Sequence, residues 1–578
     1  METCTFYDYS TPAAREETAA VLFRRAKSAR SGVEREWERY NDYYNGRHAI
    51  AAQTADWARQ EDLPQLPAGL PDPWILVESQ VDPNVPEPEF RGRDSDLDSL
   101  RARQREYAVR YILENNRLAD MNTRNERRLL KYGDAFWKAY WDPEARCGAY
   151  PGDVRIRDVP PEALYPDPAV REGTLQDGQF VDYVYRLHKV RFAQLFAAEL
   201  RALGLTVEEL AGDTPDTAGR LFAGEDTLPN QDDTLPVLEH WFRQPAALEV
   251  EGRVVPAGAV ACSIQAGGRE LRYIPDYWQR THNQCRLFPF VHYWRIQDET
   301  RFYNKSELFP VLGLVDAADR ALTVATLNDE LMANDVLLVE EGALCDGEEL
   351  TNEPGAVVQL KPGRLDRIRR LGGTQSVADS AAALEWYTRQ VERASRSYET
   401  SRGREAQRTT TASGLAMIRQ DADTQSGIKK ADRNAGFERL FELLDWLALE
   451  FFDDGRLLFL GADEARGRAP AVFRFRADAL AEPGGGEELV WPRVDVTVSA
   501  GDGLLRNRQA MLETLQTLAQ SSITAENWRL YAAQLELLNL PGRQEIIGDW
   551  ESRFAPPPPE ERMENELADY AEPVYPGL

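Results

Sequence analysis

The side chains of this chain that could do chemistry are few and poorly grouped. Five histidines are spread over 578 residues, and only His282, Cys285 and His292 share a short stretch. Zinc sites need four ligands, commonly delivered as closely spaced pairs. This spacing fits no common pattern and lacks a fourth ligand, so ordinary strand residues are the preferred reading. Asp94, Asp96 and Asp98 could suggest a divalent cation, but acids in the first turn of a helix complement its dipole, and that reading is preferred. Asp421 and Asp423 open like a calcium loop, yet the Gly at position 6 and the Glu at position 12 of such a loop are missing. The chain contains no GxxxxGK[ST] phosphate loop, no HExxH and no GxSxG. With no recognisable acid–base dyad, the chain reads as a non-enzyme for which no catalytic residue, metal or cofactor is expected.

The basic residues are better grouped. Arg364, Arg367, Arg369 and Arg370 form one cluster, and Arg402, Arg404 and Arg408 form another, within SRGREAQRTTTASG (401–414). That second segment also carries Gln407, Thr409 and Thr410. Each cluster has two readings: a solvated face or ion pairs between subunits, or transient contact with phosphate oxygens.

The elements that position these residues can be read from periodicity. Leu308, Val311, Val315, Ala318, Leu322 and Ala325 step by threes and fours, a heptad seam that predicts a helix over 308–333, about 39 Å long. The period then changes to two in VLLVEE (336–341) and VVQL (357–360), which predicts a small β unit. A second seam, Val377, Ala381, Leu384, Thr388, Val391, Ser395 and Tyr398, predicts a helix of matched length. The simplest geometry is an antiparallel helical hairpin with the β unit at its tip. Narrow seams of this kind need partners, so packing against equivalent helices in a bundle or ring is expected. The segment 401–411 has little apolar to pin it and reads as an exposed loop. A third long helix is expected over 412–454, amphipathic in its later half through Phe437, Leu440, Phe441, Leu444, Leu447, Ala448 and Phe451.

Elsewhere, 13–46 and 95–132 read as helices, the latter stopping at Gly133, while the prolines of 63–88 forbid a long helix. AFWKAYWDP, VRIRDV (154–159), FVDYVYRLHKV (180–190), VLEHWFR (237–243), LEVEGRVV (248–255) and FVHYWRI (290–296) read as strands, with a helix at about 191–211 between them. A further strand is expected in 489–500. Strands broken by helices without regular βαβ alternation indicate an α+β fold.

Composition bounds the rest. The chain has 68 Lys+Arg against 96 Asp+Glu, a net charge of −28, and is 43% hydrophobic. That is apolar enough for real cores, and too acidic for a broad phosphate-gripping surface, though not for one that lets DNA slide past. Five dispersed cysteines without a CxxC pair fit a reducing compartment, no apolar run approaches a membrane span, and METCTFYDYSTPAAREE does not resemble a secretory signal. Folding in a cytoplasm is expected.

Taken together, the order of parts resembles the portal proteins of tailed bacteriophages. The segments 116–168, with a helix ending near a glycine and strands ending in aromatic-Asp and Pro-aromatic-Pro landings, and QRTTTASGLAMIRQDA (407–422) are also similar to that family. The resemblance implies a wing over 1–305, a first stem helix over 306–335, a clip over 336–373 and a second stem helix over 374–400. A tunnel loop over 401–411 follows, then a long helix and the rest of the wing over 412–504, a helical crown over 505–555 and an acidic Pro-rich tail over 556–578. It implies a homo-oligomeric ring, usually a dodecamer, at the portal vertex of the virion capsid, assembled in the host cytoplasm. Double-stranded DNA would pass through the channel in packaging and ejection. The partners implied are the terminase motor, the head–tail adaptor and the major capsid protein, with no membrane. Arg364, Arg367, Arg369 and Arg370 would then face the motor or DNA, and Arg402, Arg404, Gln407, Arg408, Thr409 and Thr410 the channel. The rivals are a metal-dependent nuclease subunit, which would cut DNA, and a helical scaffold or adaptor, which would have no channel.

Overall fold

The structure is a computed structural model that describes residues 7–48, 72–93, 96–147, 150–171, 173–212, 233–250, 252–281, 284–333, 336–339, 361–362, 368–371, 377–395, 412–452, 455–461, 471–483, 489–498, 527–529, 531–532, 550 and 553. It is a mixed α+β fold of several antiparallel sheets and long helices. The chain divides into two compact units. The first comprises Met1–Val85, Arg117–Tyr140 and Arg155–Leu443, and the second Pro86–Asn116, Trp141–Val154 and Leu444–Leu578.

Helix α1 (Pro12–Tyr44) begins where local chemistry dictates: Thr11 is extended, its hydroxyl accepts from the Ala14 N–H at 3.2 Å, and Pro12 takes the first helical position. Among the described residues of the Pro-rich stretch lies the nine-residue α2 (Asp72–Gln80), before strand β1 (Pro88–Gly92). The single helix expected over 95–132 is two helices, α3 (Asp96–Asn115) and α4 (Leu118–Tyr132). They are separated at Arg117, whose φ of 48° is left-handed. The reason is tertiary. The Asn116 side-chain amide donates to the Ile112 carbonyl at 2.8 Å and to the Val154 carbonyl at 2.9 Å, and the Asn115 amide donates to the Asp153 carboxylate. The break coincides with the division between units. Gly133 ends α4 as expected, with φ 90° and its N–H on the Leu129 carbonyl.

Strands β2 (Asp134–Cys147), β3 (Tyr150–Val159), β4 (Leu164–Pro166) and β5 (Phe180–His188) follow. The helix expected at 191–211 is three short ones, α5 (Lys189–Leu195), α6 (Ala197–Leu203) and α7 (Val207–Gly212). Gly204 stops α6 at φ 65°. Thr206 and Glu209 then form reciprocal hydrogen bonds that start α7. Next come β6 (Thr234–Arg243), β7 (Leu248–Val250), β8 (Arg253–Val255), β9 (Val260–Ala266), β10 (Arg269–Ile274) and β11 (Phe290–Trp294). The run LEVEGRVV is a hairpin rather than one strand, because it turns at Gly252 (φ 78°).

In the first unit β10-β9-β6-β5-β4 form one antiparallel sheet. Side chains of successive strand residues point to opposite faces, and both faces are covered. Leu22, Phe23 and Ala26 of α1 pack with Tyr165, Phe180, Phe242 and Ala261 on one face. Phe192, Phe196, Leu200 and Leu210 pack with Leu235, Val237, Ala266 and Leu271 on the other. Each fully buried Leu or Phe contributes roughly 1.5–3 kcal/mol. A second sheet has the order β11-β2-β3, with β11 antiparallel to β2 from Phe290 opposite Lys138 to Trp294 opposite Asp134.

Helix α8 (Leu312–Ala333), the antiparallel ribbon β12 (Val336–Val339) with β13 (Ile368–Leu371), and helix α9 (Val377–Ser395) come next, and α8 packs against α9. Residues 308–311, expected in the helix, form a turn ahead of it. Helix α10 (Ala412–Phe451) spans 40 residues.

Within the second unit, β1 pairs with β16 (Val494–Val498), and α3 packs against β1 and against β14 (Leu457–Leu460), which pairs with β15 (Ala471–Arg474). The expected strand 489–500 is split by Trp491-Pro492-Arg493 into a two-residue strand, Leu489–Val490, and β16. The buried Arg105 guanidinium holds Asp445 at 2.9 Å and the Pro492 carbonyl at 2.6 Å. The expected crown falls almost wholly outside the described residues, and the tail does so entirely.

Candidate functional site

Within the first unit, the α8–ribbon–α9 segment begins at residues 306–319, and the part of α10 that belongs to the same unit passes the same place. Apolar packing sets the framework: Leu308, Val311, Leu312, Val315 and Ala318 are all buried. The Glu307 N–H and the Ser306 hydroxyl both donate to the Leu130 carbonyl, each at 3.0 Å, which uses a backbone acceptor at the end of α4.

Charge completes this root. The Glu307 carboxylate receives Lys429 of α10 at 2.5 Å on one oxygen and Arg295 at 2.9 Å on the other. Arg295 also donates to the Gln80 side chain at 2.5 Å. Burial alone would push the Glu307 carboxyl up, but the Arg295 and Lys429 cations outweigh it and hold the group below the usual carboxylate range. One turn further along α10, Arg433 pairs with Glu126 of α4 at 2.8 Å and donates to the Asn84 carbonyl at 2.6 Å. Burial prevails at Glu126 and raises its carboxyl despite Arg433. On the other flank, Asp316 of α8 accepts from Arg39 at 2.7 Å and from the Tyr43 hydroxyl, and Asp319 contacts the His48 imidazole. Thus α1, α2, α4, the residue after β11, and α10 all grip the start of α8. These contacts anchor the start of α8 to the rest of the first unit.

Close approach reinforces it. A Cβ at Gly133 would lie 2.6 Å from the Asn304 carbonyl oxygen, and one at Gly436 of α10 would lie 2.4 Å from the Tyr293 Cβ. Neither position has room for a Cβ, against backbone at Gly133 and against the Tyr293 side chain at Gly436, so glycine fits both.

Of the residues singled out from sequence, Arg402, Arg404, Gln407, Arg408, Thr409 and Thr410 lie outside the described residues, as do Arg364 and Arg367. Arg369 and Arg370 lie on β13, opposite Leu338 and Leu337 of β12. Asp94 and His282 are also outside the described residues. Asp421 and Asp423 fall on α10, and Asp98 in the first turns of α3 pairs with Arg101 at 3.2 Å. Cys285 and His292 are buried, and the His292 Nε2 contacts Asp134 at 2.8 Å while its ring stacks on Phe136. Among the described residues no group of three His, Cys, Asp or Glu side chains comes together as a metal site would require. Among the same residues, no helix is long and apolar enough to cross a membrane.

The root network escaped the sequence reading. Its one local signal is the polar pair Ser306-Glu307 immediately before an apolar seam. Its partners are 122 residues away at Lys429 and 12 away at Arg295.

Comparison with known proteins finds no matching family model and no matching curated protein.

Proposed function

We propose that the chain is a portal vertex subunit: one member of a ring-shaped channel through which double-stranded DNA enters and leaves a phage capsid. The observation that carries this reading is the order of elements. An α+β body gives rise to one excursion, helix, β ribbon and helix over Leu312–Ser395, and a 40-residue helix follows it. In this reading α8 and α9 are the stem and β12–β13 belongs to the clip. The segment 401–411 is the tunnel loop, and α10 carries the chain back to the wing. The root around Glu307 and Lys429 is then the joint where the stem meets the wing, and the ion pairs there fix its angle.

The charge balance supports the same reading. A net charge of −28 keeps DNA from adhering to the wall. Arg402, Arg404 and Arg408, repeated by the ring symmetry, form a belt whose single contacts are weak and screened by salt. Arg364, Arg367, Arg369 and Arg370 face the terminase motor and later the head–tail adaptor. The protein acts by geometry, and neither ATP hydrolysis nor DNA cleavage is assigned to it.

The experiment is mass photometry and electron microscopy of the purified full chain at micromolar concentration over a range of salt. Rings with a central channel, about twelve subunits in number, are expected. A monomer under all conditions, or a solid assembly without a channel, overturns the reading. Metal-dependent cleavage of DNA by the same preparation would favour a nuclease subunit instead.

A further inference from the structure

The start of α8 is held from one side by carboxylate–α10 ion pairs and from the other by a separate clasp built on a single histidine. His48, just beyond the end of α1, is fully buried, and its Nδ1 faces the buried Asp319 carboxylate. Its Nε2 lies 3.2 Å from the Tyr43 carbonyl oxygen, a contact that is favourable when that nitrogen carries a hydrogen, as the Nδ1 contact to Asp319 is when Nδ1 does. The ring stacks on Tyr43 at 4.6 Å and 13°. Tyr43 and Arg39 in turn hold Asp316, one turn before Asp319 on α8. With Nε2–H committed to the Tyr43 carbonyl, only the doubly protonated imidazolium can also donate from Nδ1 to Asp319. A neutral ring instead sets a lone pair against one of the two acceptors, the Asp319 carboxylate or the Tyr43 carbonyl, according to its tautomer.

We propose that His48, Asp319, Asp316, Tyr43 and Arg39 form a proton-operated latch between the end of α1 and the first turns of α8: closed when His48 is protonated, loosened when it is neutral. Three neighbouring carboxylates are engaged elsewhere. Glu78 of α2 accepts from Tyr44 and Arg127, Asp42 pairs with Arg47 at 3.0 Å, and Glu36 pairs with Arg301 at 2.8 Å. None of them competes for the imidazole among the described contacts. Burial by itself would lower the His48 pKa, but the hydrogen bond and charge of Asp319, the Tyr43 carbonyl and the charge of Asp316 together raise it above the ordinary imidazole value.

The sign follows from linkage. A histidine whose folded pKa is raised contributes its full stabilisation below its unfolded value of about 6.5, and loses it as pH rises through the folded pKa. The latch therefore closes toward mildly acidic pH and opens toward alkaline pH. The inference stands on the clasp alone and does not depend on ring assembly or on any role in DNA transport.

The test uses the intact chain. Backbone amide exchange over Leu312–Thr323, corrected for the intrinsic pH dependence of exchange, is compared between pH 6 and pH 8.5. Protection is expected to fall on the order of threefold to tenfold, the range in which a charge-assisted hydrogen bond differs from a neutral one. In His48→Gln and in Asp319→Asn that pH dependence should vanish, while protection of the five-stranded sheet is unchanged. A wild type with no pH dependence over these residues, or a His48→Gln variant that keeps it, overturns the proposal. Histidine C2-proton exchange read by mass spectrometry on the wild type needs no variant. A His48 pKa above the ordinary value supports the latch, and one at or below it overturns the latch even if both variants fail to fold.

Discussion

Glu307→Gln isolates the electrostatic part of the α8 root. Glutamine keeps the size of the side chain and one acceptor oxygen but removes the charge that Arg295 and Lys429 share. The carboxylate is 4% exposed, Arg295 13% and Lys429 27%. Breaking a buried ion pair costs about 3–5 kcal/mol when one charge is left without compensation. Two features reduce that figure. Lys429 is partly in water and can turn outward, and the amide oxygen can still accept from Arg295. The expected loss is therefore about 2 kcal/mol. The lowered Glu307 pKa sets the pH dependence. A depressed carboxylate contributes stability above its unfolded value of about 4.3, and that contribution is lost as pH falls through the folded value. The gap between wild type and variant should thus be full at pH 7, narrow once pH falls below the unfolded value of about 4.3, and close only below the lower folded value. Amide exchange over Leu312–Thr323 and over the α10 residues 427–436 reads the local effect directly, which matters in a chain with two units, where one global unfolding free energy is ill defined. Lys429→Met is the internal comparison and should cost less, because Glu307 keeps Arg295. The reasoning is refuted if Glu307→Gln costs under about 0.5 kcal/mol at neutral pH, or if its cost is the same below the folded Glu307 value as at pH 7.

Three further outcomes follow from the same geometry and reading. Gly133→Ala should destabilise the first unit by about 2 kcal/mol or more, since φ 90° and a Cβ 2.6 Å from the Asn304 backbone act together; a melting temperature within a degree of wild type would contradict this. Gly436→Ala tests which effect wins on α10: helix propensity favours alanine by about 1 kcal/mol, but a Cβ 2.4 Å from the Tyr293 Cβ has no flexible side-chain end to push aside. Thermal denaturation should show net loss, and net gain would mean that α10 and β11 separate readily. On the proposed portal reading, replacing Arg402, Arg404 and Arg408 together with alanine should leave rings visible by electron microscopy and lower packaged DNA per particle. Rings that fail to form would make these arginines intersubunit ties.

Much of the fold was legible because its causes are local. Gly133 stops α4, and short runs of β-branched and aromatic residues mark β5, β6 and β11, since positive φ and strand propensity depend on residues a few positions apart. Two signals of the same local kind went unread. Thr206-x-x-Glu209 opens α7, and Gly267-Gly268, both at positive φ, turn β9 into β10. The break at Arg117 was of another kind. Nothing in NNRLA forbids a helix as Asn115, Asn116 and Arg117 lose their register to partners at Asp153 and Val154. The split of LVWPRVDV was half legible through Pro492, and half fixed by Arg105, which reaches that proline's carbonyl across 387 residues of sequence. The α8 root shows the limit most clearly. The apolar seam from Leu308 announced a helix, and the types of Glu307, Asp316 and Asp319 were plain. In a chain with 96 acids and 68 bases, however, the sequence offers each carboxylate many cations and no distance to choose by. Only the folded chain brings Lys429 and Arg295 to Glu307 and His48 to Asp319, because ion pairing is decided at a few ångströms and burial fixes which of those contacts water cannot screen.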